Sequence, residues 1–350
     1  MARLIPSDHN QNVMVVINYL DQLTPGSFEH ALHYLIEDKL DLSIFYQSYS
    51  NDDGGRPAYD PANLLKIILF AYSRGIRSSR DIQWCCESNT IFMALSCHSV
   101  PHWTTIARFV SSRQEAIEDL FEQVLLVCDQ QGLLGKELFA IDGCKMPSNA
   151  AKEWSGTHNE LAAKRAKLKR QIAYQVSEHQ RLDTLESDEA DRIARTEQTI
   201  ATLDAAHDKI DRFLKTHTPR MGQGRRQKEV KSNITDNESA KMTTSKGTIQ
   251  GYNGVATVDK KHQIIVDAQA FGEGQEHHTL EPVLETVRKR LRRLGIRKDI
   301  FRGPYKPIIT ADTGFANEAN MRFLHDNKVN AYIPDNQFRS RDPKFAQQKE

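Results

Sequence analysis

Apolar positions recur at three- and four-residue steps through residues 1 to about 135, and short continuous apolar runs replace them further on. The first pattern predicts helices and the second buried strands. Asp60-Pro61 sets a capping side chain before a proline at a first helical position, and residues 64–72 follow, apolar on most sides, until Gly75. Ser78 or Ser79 then caps a short helix carrying Ile82, Trp84, Cys85 and Cys86, and a second short helix covers residues 90–95. Ile106, Phe109, Val110, Ile117, Leu120, Phe121, Val124, Val127 and Cys128 mark one longer helix that Gly132 stops. Short helices joined by tight turns fit helix-turn-helix organisation, and they fit a plain helical bundle equally well.

Two later runs stand out. Leu138-Phe139-Ala140-Ile141 ends in Asp142-Gly143, and Pro307-Ile308-Ile309-Thr310-Ala311 ends in Asp312-Thr313-Gly314. Each predicts a buried strand with an aspartate at its tip and a glycine behind it to turn the chain away. Between them, residues 158–217 are charged and helical. Leu161, Leu168, Ile172, His179 and Leu182 fit a heptad seam on one arm, and Ile193, Ile200, Leu203, His207, Ile210 and Leu214 on another, with a break near Ser187-Asp188. Two such arms predict an antiparallel helical hairpin projecting from a domain, with His179 and His207 as a buried polar pair rather than a metal site.

Residues 219–246 read as a polar, basic loop. Residues 248–259 and 262–270 predict two strands turning at Lys260-Lys261, followed by helices near 278–294 and 317–327 and a short strand at 331–334. With the hairpin set aside, the order is strand, strand, strand, helix, strand, helix, strand. That order predicts a mixed α/β sheet with helices on its faces. Two domains are expected: a helical unit over residues 1–135, and an α/β unit over 136–350 interrupted by the hairpin at about 158–217.

The chain has 350 residues, enough for two or three units. Its net charge of +1, from 47 basic and 46 acidic residues, conceals local asymmetry. Residues 288–306 hold Arg288, Lys289, Arg290, Arg292, Arg293, Arg297, Lys298, Arg302 and Lys306 against the single acid Asp299. Such a cluster can neutralise phosphates, and Arg290, Arg292 and Arg293 are its candidates for DNA contact. Arg74, Arg77, Arg80, His102 and Arg108 are the candidates in the helical unit. The five cysteines are too few and odd in number for a disulfide scaffold, and Cys85, Cys86, Cys97, His98 and His102 fit no standard zinc spacing, so core packing is the better reading. No signal peptide is visible before Asn12, and no apolar run reaches the roughly 20 residues a membrane span needs. A cytoplasmic, thiol-reduced protein without a membrane partner is expected.

The candidate chemistry lies in the two strand-tip aspartates. Strands distant in sequence can be neighbours in one sheet, and the paired carboxylates of Asp142 and Asp312 would then suit Mg²⁺, a hard cation that takes oxygen ligands. That combination points to metal-assisted phosphodiester chemistry. Asp236 reads as a loop cap, and Asp259 and Asp267 as strand-end and surface residues.

Several segments carry a family resemblance. Gly55-Arg56-Pro57 with the Asp60 helix, Arg74-Gly75-Ile76-Arg77-Ser78-Ser79-Arg80, Phe139-Ala140-Ile141-Asp142-Gly143-Cys144-Lys145, Thr235-Asp236-Asn237-Glu238-Ser239-Ala240-Lys241-Met242, Gly251-Tyr252-Asn253-Gly254 and Ala311-Asp312-Thr313-Gly314-Phe315 together resemble bacterial insertion-sequence transposases of the DDE superfamily. The resemblance spans nearly the whole chain. It implies an RNase H-like catalytic core, Mg²⁺ (or Mn²⁺) as cofactor, double-stranded DNA at element ends and target as substrate, and a homo-oligomer as the acting form. It also implies DNA strand cleavage and strand transfer, with Asp142 shared between two metals and Asp312 on one of them. The family uses a third carboxylate, a glutamate on a helix after the last strand. Only Glu318, Asp326, Asp335, Asp342 and Glu350 supply acids after Asp312, and none fits that place. No third carboxylate is therefore assigned, and the chain is expected to be a copy truncated at its C-terminus. Two rivals remain: a non-catalytic DNA-binding transposase fragment, and another RNase H-like nuclease.

Overall fold

The apolar run after Asp60-Pro61 becomes α3 (Pro61–Ser73), whose Leu64, Leu65, Ile67, Ile68, Phe70 and Ala71 are buried. Asp60 caps it, accepting from Ala62 N at 2.9 Å, and Gly75 closes it at φ +75°. In this computed structural model, residues 16–47, 49, 57–183, 190–222, 227–302, 306–335 and 337–345 are described. Gly55, Arg56, Ser187, Asp188 and Glu350 lie outside them. The chain divides into two compact units, residues 1–132 and 133–350.

In the first unit α1 (Phe28–Tyr34), α2 (Ser43–Tyr46), α4 (Ser79–Ser88), α5 (Thr90–Leu95), α6 (Trp103–Ser111) and α7 (Gln114–Gln130) share one apolar core with α3. Phe45 stacks on Phe109 at 5.6 Å, and Phe92 meets Phe70 edge-on at 5.1 Å. Cys85 and Cys86 are buried in this core, and burial pushes the Cys86 thiol up to about 12, as packing cysteines should behave. The single helix expected across residues 106–128 is two helices. Ser112 Oγ and Ser111 Oγ both donate to Arg108 O, at 2.7 and 3.4 Å, beside the bond that it accepts from Ser112 N at 3.0 Å. Arg113 then leaves helical geometry and lies over the rings of Tyr49 and Phe109.

The second unit is the mixed α/β fold expected. Its strands are β1 (Leu138–Pro147), β2 (Ser155–Gly156), β3 (Ser232–Asn233), β4 (Ala240–Thr244), β5 (Gly247–Asp259), β6 (Ile265–Phe271), β7 (Ile308–Ala311) and β8 (Asn330–Tyr332). The main sheet runs β4-β5-β1-β7-β8, and β6 also pairs with β5. β1 lies antiparallel to β5 and parallel to β7, and β7 is parallel to β8. The helices are α8 (His158–Asp183), α9 (Ala190–Thr216), α10 (Leu280–Arg293), α11 (Glu318–Asp326) and α12 (Phe338–Arg341). α10 packs on β5 and β6 through Val283, Leu284, Val287 and Leu291, all buried.

Three expectations are corrected. Residues 240–244, placed in a polar loop, form β4, because Met242 is an apolar anchor and Gly247 at φ +119° allows a tight return into β5. Asp259 is not a plain strand-end residue. It is fully buried and accepts from the backbone N–H groups of Gly135, Lys136 and Lys261 at 3.0, 2.7 and 2.9 Å. Asp267 is not on the surface but buried against Arg290. Asp236 does cap its loop, accepting from Ser239 N at 3.2 Å and from the Tyr252 hydroxyl at 2.7 Å, which with burial holds that phenol up at about 12.

α8 and α9 pack together as the antiparallel hairpin. Its base is apolar: Leu161, Ile210 and Phe213 are buried with Trp154, Leu168, Leu214 and Ile234 around them. Beside that base, β2 and β3 clip the entering and leaving strands together. Arg165 reaches Asp211 across the arms at 2.6 Å. His179 and His207 bond elsewhere than to each other: His179 Nε2 sits 3.4 Å from Glu197 Oε1, and His207 Nδ1 3.2 Å from Asp208 Oδ1. Among the described residues no helix is long and apolar enough to cross a membrane.

Because the buried contacts concentrate at the base, replacing residues 172–202 by a short Gly/Ser link should leave the α/β unit folded with its cooperative melting retained. Phe213→Ala, by contrast, should cost about 3–5 kcal/mol by opening a cavity at the base. Thermal or denaturant unfolding of both variants measures this.

Candidate active site at the ends of two parallel strands

The ladder between β1 and β7 pairs Leu138 with Ile308 and ends at Ile141 with Ala311. Asp142 and Asp312 are the next residues on the two strands. Neighbouring strands lie about 4.8 Å apart and in-register side chains share a face, so the two carboxylates are delivered side by side. Phe139 and Ile141 point into the core, which turns Asp142 to the exposed face. Asp142 Oδ1 accepts from Gly143 N at 2.8 Å. Asp312 leaves its strand, caps the 3₁₀ turn Thr313–Phe315 and accepts from Gly314 N at 2.8 Å. In each case one oxygen is held by backbone, and among the described residues the other has no hydrogen-bond partner.

A third carboxylate stands beside them. Glu276 opens the 3₁₀ turn Glu276–His278 between β6 and α10. A Cβ on Gly314 would overlap Glu276 Oε2 and lie 3.0 Å from Asp312 Oδ1. A Cβ on Gly143 would lie 3.1 Å from Glu276 Oε1 and 3.2 Å from Asn253 Oδ1. The Glu276 carboxylate thus fills the space left by the glycines that follow the two aspartates. Burial first, then the charge of Asp312, with Asp142 adding to both, holds its carboxyl above the usual range; Lys145 opposes them. Asn320, itself buried, locks the two turns together: its Nδ2 donates to His277 O at 2.8 Å and to Phe315 O at 2.7 Å.

Sequence reasoning missed Glu276, Asn253 and Asn320. Glu276 sits in Gly274-Gln275-Glu276-His277-His278, an aperiodic run between a strand and an amphipathic helix. Its only signal is an acid among glycines at a sheet edge. Among the described residues, no three histidines, cysteines, aspartates or glutamates are already arranged closely enough to hold one ion. The donor atoms at hand are carboxylate and amide oxygens, the kind that a hard divalent cation takes.

The arginines divide into two groups. Arg77, Arg80, Arg108, Arg292 and Arg293 are exposed, with Arg80 lying over the Trp103 ring at 4.6 Å. Arg74 is exposed but lies over Phe70 and 3.9 Å from Glu29. Arg290 is engaged with buried Asp267.

Two family models match the chain. The model described as "Transposase domain (DUF772)" matches residues 17–112, and "Transposase DDE domain" matches residues 211–349. The two matches together support an insertion-sequence DDE transposase. The first match falls within the helical unit. The second includes Glu276 and Asp312 and begins after Asp142, whose place beside Asp312 comes from the sheet register. No curated protein and no solved structure matches. A DDE domain carries dependence on a divalent metal in general.

The crowding around Glu276 has a measurable consequence for the metal-free transposase. A carboxyl held above its ordinary value binds more protons folded than unfolded, so its contribution to stability falls as pH rises through that window. In EDTA, Glu276→Gln should therefore melt higher than the parent at pH 7. The gap should close as pH falls below the ordinary carboxylate value of 4.5.

Proposed function

We propose that the chain carries out metal-dependent DNA strand cleavage and strand transfer at the ends of its insertion sequence, with Asp142 and Asp312 as metal-holding carboxylates. One observation carries the reading: both aspartates stand one residue beyond the last rung of a parallel ladder, on adjacent strands, each with an oxygen that no described residue hydrogen-bonds. Bound Mg²⁺ or Mn²⁺ would supply Lewis-acid stabilisation at the scissile phosphate and would acidify the attacking water or 3′-hydroxyl. The chain's own part is to fix the donors. Gly143 N and Gly314 N orient the two carboxylates, and Asn320 keeps the turn after Asp312 from swinging away.

The substrate is double-stranded DNA, at element ends and target, and the acting form is a homo-oligomer. In the helical unit Arg77, Arg80 and Arg108 face solvent and can meet phosphates, with Arg74 as an outer contact. In the α/β unit Arg292 and Arg293 serve that role, whereas Arg290 is left out because Asp267 holds it. The second reading is DNA binding without catalysis.

Asp142→Ala and Asp312→Ala should each abolish Mg²⁺- or Mn²⁺-dependent nicking of a labelled duplex carrying the element ends while leaving the duplex bound. If the parent binds but never nicks, the second reading stands instead. Reversing Arg292 and Arg293 to Glu should weaken binding. It should also lower the slope of log affinity against log salt by about 0.9 for each phosphate that the variant no longer neutralises. Fluorescence anisotropy over a salt series reads that slope.

A further inference from the structure

We propose that the groove on one face of the α8–α9 hairpin binds single-stranded DNA, with the Tyr174 ring stacking on an unpaired base and Lys167, Arg170 and Arg195 meeting the phosphates. The inference rests on the reading above that the chain acts on DNA. It concerns residues 158–210, which lie between the two matched spans.

Three observations carry it. First, a groove of about 650 Å³ opens between the arms, lined by Lys167, Arg170, Gln171 and Tyr174 of α8 and by Thr199 and Leu203 of α9. Tyr174 is 62 % exposed, a large ring that the hairpin leaves outside its apolar seam. Second, charge is sorted between the two sides of the hairpin. At about 3.6 residues per turn, Lys164, Lys167 and Arg170 follow one another along the groove side of α8, and Arg195 stands one turn before Thr199 on α9. α8 has no acid from Leu161 to Ser177. From Arg192 onward the acids of α9 are Glu197, Asp204, Asp208 and Asp211, all on the far side, where Asp211 takes both Arg165 and Lys215 at 2.6 Å. Lys167, Arg170 and Arg195 are exposed, and among the described residues no acid pairs with them. A line of unpaired cations along a groove suits a polyanion. Third, the hairpin rises from the right end of the sheet. β1 carries the chain from Asp142 on to Pro147, and the segment before α8 stays at that end, with Ser155 Oγ donating to Gln250 Oε1 at 2.7 Å. There Lys164 and Lys209 lie over the Trp154 ring, at 4.4 and 5.3 Å from its centre, and extend the line of cations down to the sheet.

The aromatic ring decides between one strand and two. Stacking needs a free base face, which a duplex hides, and an exposed ring among cations holds a single strand whatever its sequence. Gln171 adds an amide that can donate to or accept from a base edge. Unpaired DNA is what strand cleavage at an element end releases, at the end of the sheet from which the groove starts.

The test is binding of fluorescein-labelled oligothymidine to the 350-residue chain in EDTA, read by anisotropy beside a duplex carrying the element ends. Tyr174→Ala should weaken the oligothymidine Kd about tenfold and leave the duplex Kd unchanged, while Tyr174→Phe, which keeps the ring, should bind like the parent. Lys167→Ala with Arg170→Ala should weaken strand binding and lower its salt slope by about 0.7 for each phosphate no longer neutralised. Lys169→Ala removes an exposed cation from the other side of α8 and should change nothing. The positions are exposed, so these variants should melt with the parent. The inference is overturned if the parent binds the duplex and not oligothymidine, or if Tyr174→Ala leaves the strand Kd unchanged. Equal loss of strand and duplex would make the face a duplex surface, and tighter binding of oligouridine would assign it to RNA; either overturns the inference. So does self-association that these variants abolish in a chain that binds no strand, which would give the groove to a second copy. If the parent binds neither strand nor duplex, the reading of DNA as substrate fails as well.

Discussion

β1 is hydrogen-bonded on both edges, antiparallel to β5 and parallel to β7, and the site depends on that double pairing. A parallel partner cannot follow by a hairpin. The chain must run through α8, α9, β4, β5, β6 and α10 before it returns as β7. A ladder of four residue pairs then fixes Asp142 beside Asp312. What protects that register is apolar burial rather than the carboxylates. A slip of one residue would turn Phe139 and Ile141 out of the core and Asp142 into it. The hydrophobic effect acting on two side chains sets where the charge stands.

The features that were legible in the sequence are those encoded locally. A strand tip with an aspartate and a glycine is written within six residues, a capping Asp-Pro within two, and a heptad seam repeats often enough to identify the α8–α9 hairpin. The features that were not legible depend on closure between distant segments. The turn that carries Glu276 meets the turn after Asp312 through Asn320, which donates to the backbone of both. Asp259 and Asp267 look like surface acids in sequence, yet three backbone N–H groups satisfy one and an arginine on α10 satisfies the other. The break between α6 and α7 falls at Arg113, whose backbone leaves helical geometry, and the apolar periodicity running through it conceals it.

The basic run over residues 288–306 shows why charge counted in one dimension overstates a nucleic-acid surface. The core stripe of α10 is Val283, Leu284, Val287 and Leu291, and Arg288 and Arg290 flank it. Their stems lie along apolar surface and their heads find Asp299 and Asp267. Arg297 donates to Lys136 O at 2.8 Å and Lys306 to Lys328 O at 2.8 Å, so both brace loops. Even Arg292 and Arg293 stand in the last turn of α10, where the helix dipole favours positive charge. Stability alone accounts for most of the cluster, and only its exposed members are available to phosphates.

The run Gly251-Tyr252-Asn253-Gly254 is explained by the same crowding. β5 passes so near the end of β1 that a Cβ on Gly251 would overlap Met146 O, and one on Gly254 would overlap the Met146 methyl group. Glycine at both places lets β5 keep its pairing with Met146 and Cys144 without a bulge. Between them the two side chains alternate across the sheet. Tyr252 turns to Asp236, and Asn253 turns into the core beneath Gly143. A larger residue in either glycine position would push β5 away from β1 and carry Asn253 with it. Sheet geometry that looks purely structural therefore sets how near a buried amide can come to the carboxylates at the strand ends.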